Sequence, residues 1–152
     1  MTRLSWSKVM PKAYRTMMEM ESFAEQSSLE PKLKELIKIR ASQINHCAHC
    51  LDMHTKDAKA IGETEQRINV LAAWREAPFY SPRERAALAW CEALTLIADS
   101  EAPDEIYNEV EQLFTQEEIV ELTFAIVVIN GWNRFAVGFR SEVGSYVSHK
   151  KP

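Results

Sequence analysis

Cys47 and Cys50 stand three residues apart in the stretch Asn45-His46-Cys47-Ala48-His49-Cys50-Leu51-Asp52-Met53-His54. On a helix the two cysteines are i and i+3, and Cys50 and His54 are i and i+4. At about 100° per residue the three side chains project within roughly 60° of one another. The imidazole of His54 then lies beside the Cys50 thiol, and the two sulfurs can join after modest local adjustment. The thiolate, not the thiol, attacks an O–O bond or a disulfide. A free cysteine, with a pKa near ~8.5, is mostly protonated at neutral pH. A helix N-terminus and a neighbouring imidazole both promote ionisation. Attack on a peroxide leaves a sulfenic acid, and a second thiol three residues away can condense with it to a reducible disulfide. Glu35, twelve residues before Cys47, completes a proton relay with His54 if the two helices pack side by side.

Other readings of the same residues are open. Cys47, Cys50 and His54 could bind zinc, with Glu35, His46 or His49 as fourth ligand. Structural zinc usually takes its second ligand pair from a distant segment at similar spacing, and here only the isolated Cys91 and His149 remain. Two inert, buried cysteines are the bland alternative. A thioredoxin-type pair wants a βαβ context, which this sequence does not offer. Cys91, in Ala86-Ala87-Leu88-Ala89-Trp90-Cys91, reads as a small core residue, and His149 as a solvated residue of a polar tail. His46 faces solvent beside the motif. Trp74, Trp90 and Trp132 read as core, and the methionines from Met10 to Met20 as adaptable packing, suited to a subunit contact.

The elements that must position these residues read almost wholly as helix. The 152 residues include only 4 Gly and 6 Pro, which favours long regular elements, and the length suits one domain over residues 1–152 with a core that needs no staple. Pro11 opens a helix to about Gln26, and Pro31 a second with Leu33, Leu36, Ile37 and Ala41 on one face. Asn45 is the expected N-cap of a third, stopped by Gly62. Thr64 caps a fourth that runs to about Glu76. Ser81-Pro82-Arg83-Glu84 starts a fifth that continues to Ala98. A short helix runs from about Pro103 to Phe114. Thr115-Gln116-Glu117-Glu118 opens the last helix, apolar nearly all round from Leu122 to Ile129 and therefore expected to be buried in the subunit or at a subunit contact. No segment alternates, so the expected fold is all-α, a compact bundle of about six or seven helices.

Charge and targeting narrow the function further. A net charge of −4 and a pI of about 5.6 give no footprint for nucleic acid. The N-terminal residues lack the apolar segment of a secretory signal. The run Phe124–Ile129 falls short of the roughly 20 residues a membrane span needs. The expectation is a cytoplasmic protein, in which paired cysteines serve redox or metal chemistry rather than structural disulfides.

At these residues the sequence resembles the AhpD-like alkylhydroperoxidases of the carboxymuconolactone decarboxylase superfamily, in their small single-domain branch. The resemblance is strongest from Glu35 to Trp74. It runs through Glu35–Asn45, the Cys47-to-His54 motif, Asp57-Ala58 and Gly62–Arg67, and extends from Ala72-Ala73-Trp74 to Glu92. The branch that decarboxylates a lactone generally lacks the cysteine pair. The resemblance implies an all-helical AhpD-like fold and a thiol peroxidase in which Cys50 meets the peroxide and Cys47 resolves it as a disulfide. Glu35 and His54 would relay the proton and His49 would assist. It implies no bound metal or flavin, a separate dithiol electron donor (a lipoyl-bearing protein in the best-known members), and a homo-oligomer, a trimer or hexamer. His46 departs from the pattern, since close relatives usually carry a small residue such as Gly there. The helix N-terminus by itself favours Cys47 as the more acidic thiol; the resemblance, with His54 at i+4, favours Cys50. A disulfide oxidoreductase or redox sensor on the same fold, and a non-catalytic oligomeric binding protein, are the competing functions.

Overall fold

The computed structural model describes residues 1–151. Among the described residues nine α-helices follow one another: α1 (Trp6–Val9), α2 (Pro11–Glu25), α3 (Pro31–Ile44), α4 (Ala48–Ala60), α5 (Glu65–Asn69), α6 (Pro82–Thr95), α7 (Ile97–Ser100), α8 (Asp104–Leu113) and α9 (Gln116–Phe139), with a 3₁₀ turn at Leu71–Ala73. The described residues hold no strand, so the fold is all-α. The proline starts and both capping boxes, Ser81 with Glu84 and Thr115 with Glu118, stand where the sequence puts them. Thr64 caps α5, and Gly62, at φ 84°, follows the end of α4.

The helix count exceeds six or seven for local reasons. The turn at α1 is additional. The helix expected from Thr64 to Glu76 stops after Asn69, because the Tyr80 hydroxyl takes the Arg67 carbonyl that the Leu71 N–H would need. The helix expected to reach Ala98 breaks at Leu96, where the Ser100 hydroxyl takes the Ala93 carbonyl at 2.6 Å. In both cases a side-chain hydroxyl ends the backbone ladder.

Helix α3 is the centre of the molecule, packed against α4, α6 and α9. It is buried nearly all round rather than on one face. Leu33, Ile37 and Ala41 join Trp90, Leu122, Ile126 and Ile129 in one core. Leu36 and Ile39 join Ile68, Leu71, Trp74 and Leu88 in another. Its remaining buried side chains, Lys34, Glu35, Lys38 and Ser42, are polar. They must find partners inside the protein, since unpaired buried groups are costly.

The turn from α3 into α4 differs from the sequence reading. Asn45 caps the end of α3 instead of starting α4, and Cys47 is the N-cap residue. His46 bridges them at φ 53°, the left-handed region that glycine enters freely and other residues rarely do. That explains why a glycine suits this position. Asn45 is recruited elsewhere: its amide donates to the side-chain oxygens of Asn130 (3.0 Å) and Asn133 (2.9 Å), and Asn133 donates to Ser42 Oγ at 3.0 Å. This polar lattice fastens the turn to α9.

The 24-residue α9, which contains an 18-residue window with a mean hydropathy of 1.3, is long and apolar enough to cross a bilayer. Here it packs against α2, α3, α4, α6 and α8 and buries Asn130 and Asn133.

Replacing Asn133 by Ala removes one of the two acceptors of the Asn45 amide and the donor to the fully buried Ser42 hydroxyl. The expected loss is about 2 kcal/mol, read from urea unfolding against an exposed Glu19→Ala control. A loss no greater than the control's would refute the lattice as a structural fastening.

Candidate active site

Helix α4 begins at the cysteine pair. Cys47 Sγ accepts the Cys50 backbone N–H at 3.3 Å, filling the role an N-cap oxygen usually takes. Cys47 and Cys50 form a disulfide with their Cα atoms 5.4 Å apart. The residues are 1% and 3% exposed. In this oxidised form the sulfurs ligate each other, so they are not the thiolate pair that a zinc site requires.

One turn beyond Cys50, His54 meets Glu35 across the α3–α4 interface, with Nδ1 3.0 Å from Oε2. A carboxylate only accepts, so Nδ1 carries the proton. In the neutral ring that leaves Nε2 as the basic nitrogen. The two helices therefore bring together Glu35, Cys47, Cys50 and His54. His49 is less free than its position in the motif suggests: its Nδ1 donates to the Glu142 carbonyl at 2.5 Å.

Glu35 is completely buried. Burial alone would raise its pKa, but the His54 hydrogen bond and charge, followed by Lys38 and Lys150, hold it down at about 2. Lys150 Nζ donates to Glu35 Oε1 at 2.7 Å, while Lys38 lies 3.8 Å away and is engaged by Glu21 (2.7 Å) and Glu25. Burial pulls the Lys38 and Lys150 ammonium groups down, and the surrounding glutamates more than reverse this in both.

Asp57 lies in the same place. Its ligand oxygen, one of Glu35 and a ring nitrogen of His54 all fall within 4.8 Å of one another. These donors do not form an open metal cradle. Asp57 Oδ1 accepts from Tyr146 Oη (2.8 Å) and Ser148 Oγ (2.6 Å), and both Glu35 oxygens are occupied. Burial and the Asp57 carboxylate push the Tyr146 phenol up to about 12.

Lys38, Asp57, Tyr146, Ser148 and Lys150 were not apparent as site residues from the sequence. Lys38 had a usable signal, three residues after Glu35 on the same helix. The C-terminal residues had none, because an extended segment has no period to read. His149 is exposed as expected, but the tail around it is pinned down. Cys91 is fully buried in the core, and burial pushes its thiol up to about 12.

A cavity of about 510 Å³ opens over Cys50, His49 and His54. Its wall is aromatic. Trp6 stacks on Phe135 with centroids 4.1 Å apart, and Trp132 lies 6.1 Å from Trp6 and 5.9 Å from Tyr14. Trp132, expected in the core, packs half-buried against it and also walls the cavity, and its Nε1 donates to Glu21 at 2.9 Å. A second, smaller hollow of about 280 Å³ touches Cys47, His46, His49 and Arg140, but not Cys50.

Residues 11–93 match the family model described as the carboxymuconolactone decarboxylase family. YdfG of Bacillus subtilis, an uncharacterized protein, is 46% identical over 143 residues, which are 94% of this chain and 97% of that protein. A crystal structure from Agrobacterium tumefaciens, described as a protein of unknown function and a candidate antioxidant defence protein AhpD, superimposes with a TM-score of 0.93. It is 45% identical and the match covers 96% of this chain and all of that one. The debrominase Bmp8 shares the fold at 18% identity, with a TM-score of 0.79 over 89% of this chain and 73% of its own.

With the Glu35 carboxyl held at about 2 against an ordinary 4.5, its contribution to stability is complete above about pH 4.5 and is lost as pH falls toward about 2. Glu35→Gln removes that dependence. Urea midpoints followed from about pH 6 downward should fall less steeply for the variant than for the wild type; parallel acid limbs would contradict the pairing.

Proposed function

This chain belongs to the carboxymuconolactone decarboxylase family, and on that premise we propose that it is a thiol-dependent peroxidase acting through Cys50 and Cys47. One observation carries the reading: Cys50 lines a cavity together with His54, whose Nδ1 is fixed by a buried carboxylate. The likeness at 45% identity to a candidate antioxidant defence protein supports the same class of chemistry.

The reaction starts from the reduced pair. His54 Nε2 takes the Cys50 proton, and the thiolate attacks the terminal oxygen of a hydroperoxide. The O–O bond breaks, and the departing alkoxide takes the proton back from the imidazolium as an alcohol. Cys50 is then a sulfenic acid. Cys47 attacks its sulfur, water leaves, and the Cys47–Cys50 disulfide results. A separate dithiol reduces it and is itself oxidised to a disulfide. Hydroperoxide and dithiol thus become alcohol, water and disulfide. Glu35 holds the ring and stabilises the imidazolium that forms. His49 stands at the same cavity in an assisting role.

The cavity is far larger than hydrogen peroxide needs and falls in the range that small organic ligands fill, which favours organic hydroperoxides. Exposed Phe23, Val120 and Val127 leave apolar surface on α2 and α9, in keeping with a homo-oligomer.

Peroxide consumption with a dithiol donor tests the assignment. Cys50→Ser should abolish turnover. Cys47→Ser should stop at a Cys50 sulfenic acid that dimedone traps. Glu35→Gln should lose about 10²-fold or more. Full turnover by Cys50→Ser would sink the assignment. A wild type that exchanges disulfides with dithiols but leaves peroxide untouched would instead be a disulfide oxidoreductase, and one that does neither a binding protein.

A further inference from the structure

The last ten described residues are tied along one stripe of α4. The Glu142 carbonyl accepts from His49, the Gly144 N–H reaches Asp52 at 3.1 Å, and the Tyr146 carbonyl accepts from Lys56 at 2.9 Å. Tyr146 and Ser148 then both donate to Asp57. Positions 49, 52 and 56 recur at the 3–4 residue spacing of one helix face, and Asp57 lies next to Lys56 at the edge of that face. The tail follows that face from the cysteine pair past His54, and at its far end Lys150 turns inward to Glu35.

We propose that this tail is part of the active site, and that Lys150 is a positioning residue which sets the charge on the Glu35–His54 relay. The inference rests on the peroxidase reading for its purpose but not for its test. The groups around Glu35 are Lys34 and Lys38 on its own helix, Glu21 and Glu25 from α2, His54 and Asp57 from α4, and Tyr146 and Lys150 from the tail. With Glu35 itself counted, four carboxylates meet three ammonium groups there, and Lys34 is directed to the Glu25 backbone carbonyl. Lys38 acts on Glu35 from 3.8 Å and is hydrogen-bonded to Glu21 and Glu25 instead. Lys150, which also reaches Glu25 at 3.3 Å, is the cation hydrogen-bonded to Glu35 itself, through the oxygen that His54 leaves free.

That division of labour has a chemical consequence. With Lys150 in place, Glu35 stays ionised without requiring a protonated His54, and the ring can begin the cycle as a base. Without it, the carboxylate's charge is answered by the imidazole and by Lys38 at 3.8 Å, an ammonium that Glu21 and Glu25 share. Loss of a cation favours the protonated form of every titratable group nearby. Ionisation of the Cys50–His54 couple then requires a higher pH.

The test is the pH dependence of Cys50 alkylation by iodoacetamide in the reduced full-length chain, with the labelled cysteine identified by peptide mass spectrometry. In Lys150→Met the alkaline rise should move to higher pH by about half a unit or more, the scale of one partly screened charge at this range. Lys150→Arg should restore the wild-type position. The pair Tyr146→Phe and Ser148→Ala, which keeps the ammonium but loosens its anchorage on Asp57, should move the rise the same way by less. A Lys150→Met profile that superimposes on the wild type, or one lowered in height without a shift, overturns the proposal. An unshifted double variant overturns the tail's part in seating Lys150. If peroxide is not consumed while the alkylation shift is present, the peroxidase reading fails and the role of Lys150 stands.

Discussion

A carboxylate with no solvent exposure is the constraint from which the rest of this structure follows. Glu35 sits on the helix that α4, α6 and α9 pack against, with no solvent exposure, so water cannot answer its charge. Burying it unpaired would cost several kcal/mol, by roughly the amount expected for a charge in a protein interior. Its two oxygens accordingly draw in an imidazole from α4 and an ammonium from the tail. A third charge, Lys38, recruits Glu21 and Glu25 from α2. Four separate segments of chain are thereby held to one point. The cluster is an internal clamp, and the proposed proton relay runs through it.

The sequence displays some of this and conceals the rest, and the division has physical causes. Helix starts at Pro11, Pro31, Ser81 and Thr115 were readable because caps and N1 prolines act within one turn. The Glu35, Cys47, Cys50 and His54 constellation was readable because three members share one helix and the fourth lies at a recognisable distance upstream. Breaks at Asn69 and Leu96 were not, because the hydroxyls that cause them, Tyr80 and Ser100, act from beyond the helix ends. Asn45 was misplaced as an N-cap for a related reason. Its side chain is claimed by Asn130 and Asn133, some 85 residues away in sequence, and no local rule can see that claim. Trp132 packs against the core as a tryptophan in an apolar helix usually does, but the cavity on its other side has no local signal in the sequence.

The polar face of α3 is where local pattern and tertiary fact differ most. Lys34, Glu35 and Lys38 look like the solvated side of an amphipathic helix, and Leu33, Leu36, Ile37 and Ala41 like its buried side. Both sides are buried. Lys34 survives there by donating to the Glu25 carbonyl at 2.7 Å. Charges become core residues when enough partners arrive from elsewhere, and those partners are the site.

The cysteine pair combines two influences that pull in opposite directions. The backbone N–H of Cys50 points at Cys47 Sγ, so the start of the helix stabilises negative charge on the first sulfur. Access and proton chemistry act on the second: Cys50 borders the aromatic cavity with His54, whereas Cys47 borders the separate hollow beside His46 and Arg140. In a cysteine that must attack, the base and the open approach matter as much as the intrinsic acidity. In a cysteine that must leave a disulfide, a stabilised thiolate is the asset. An N-cap sulfur at Cys47 and an imidazole one turn from Cys50 therefore suit different halves of the proposed cycle. The turn that makes this separation, with His46 held left-handed between the end of α3 and the start of α4, places one sulfur at the helix mouth and the other inside its first turn.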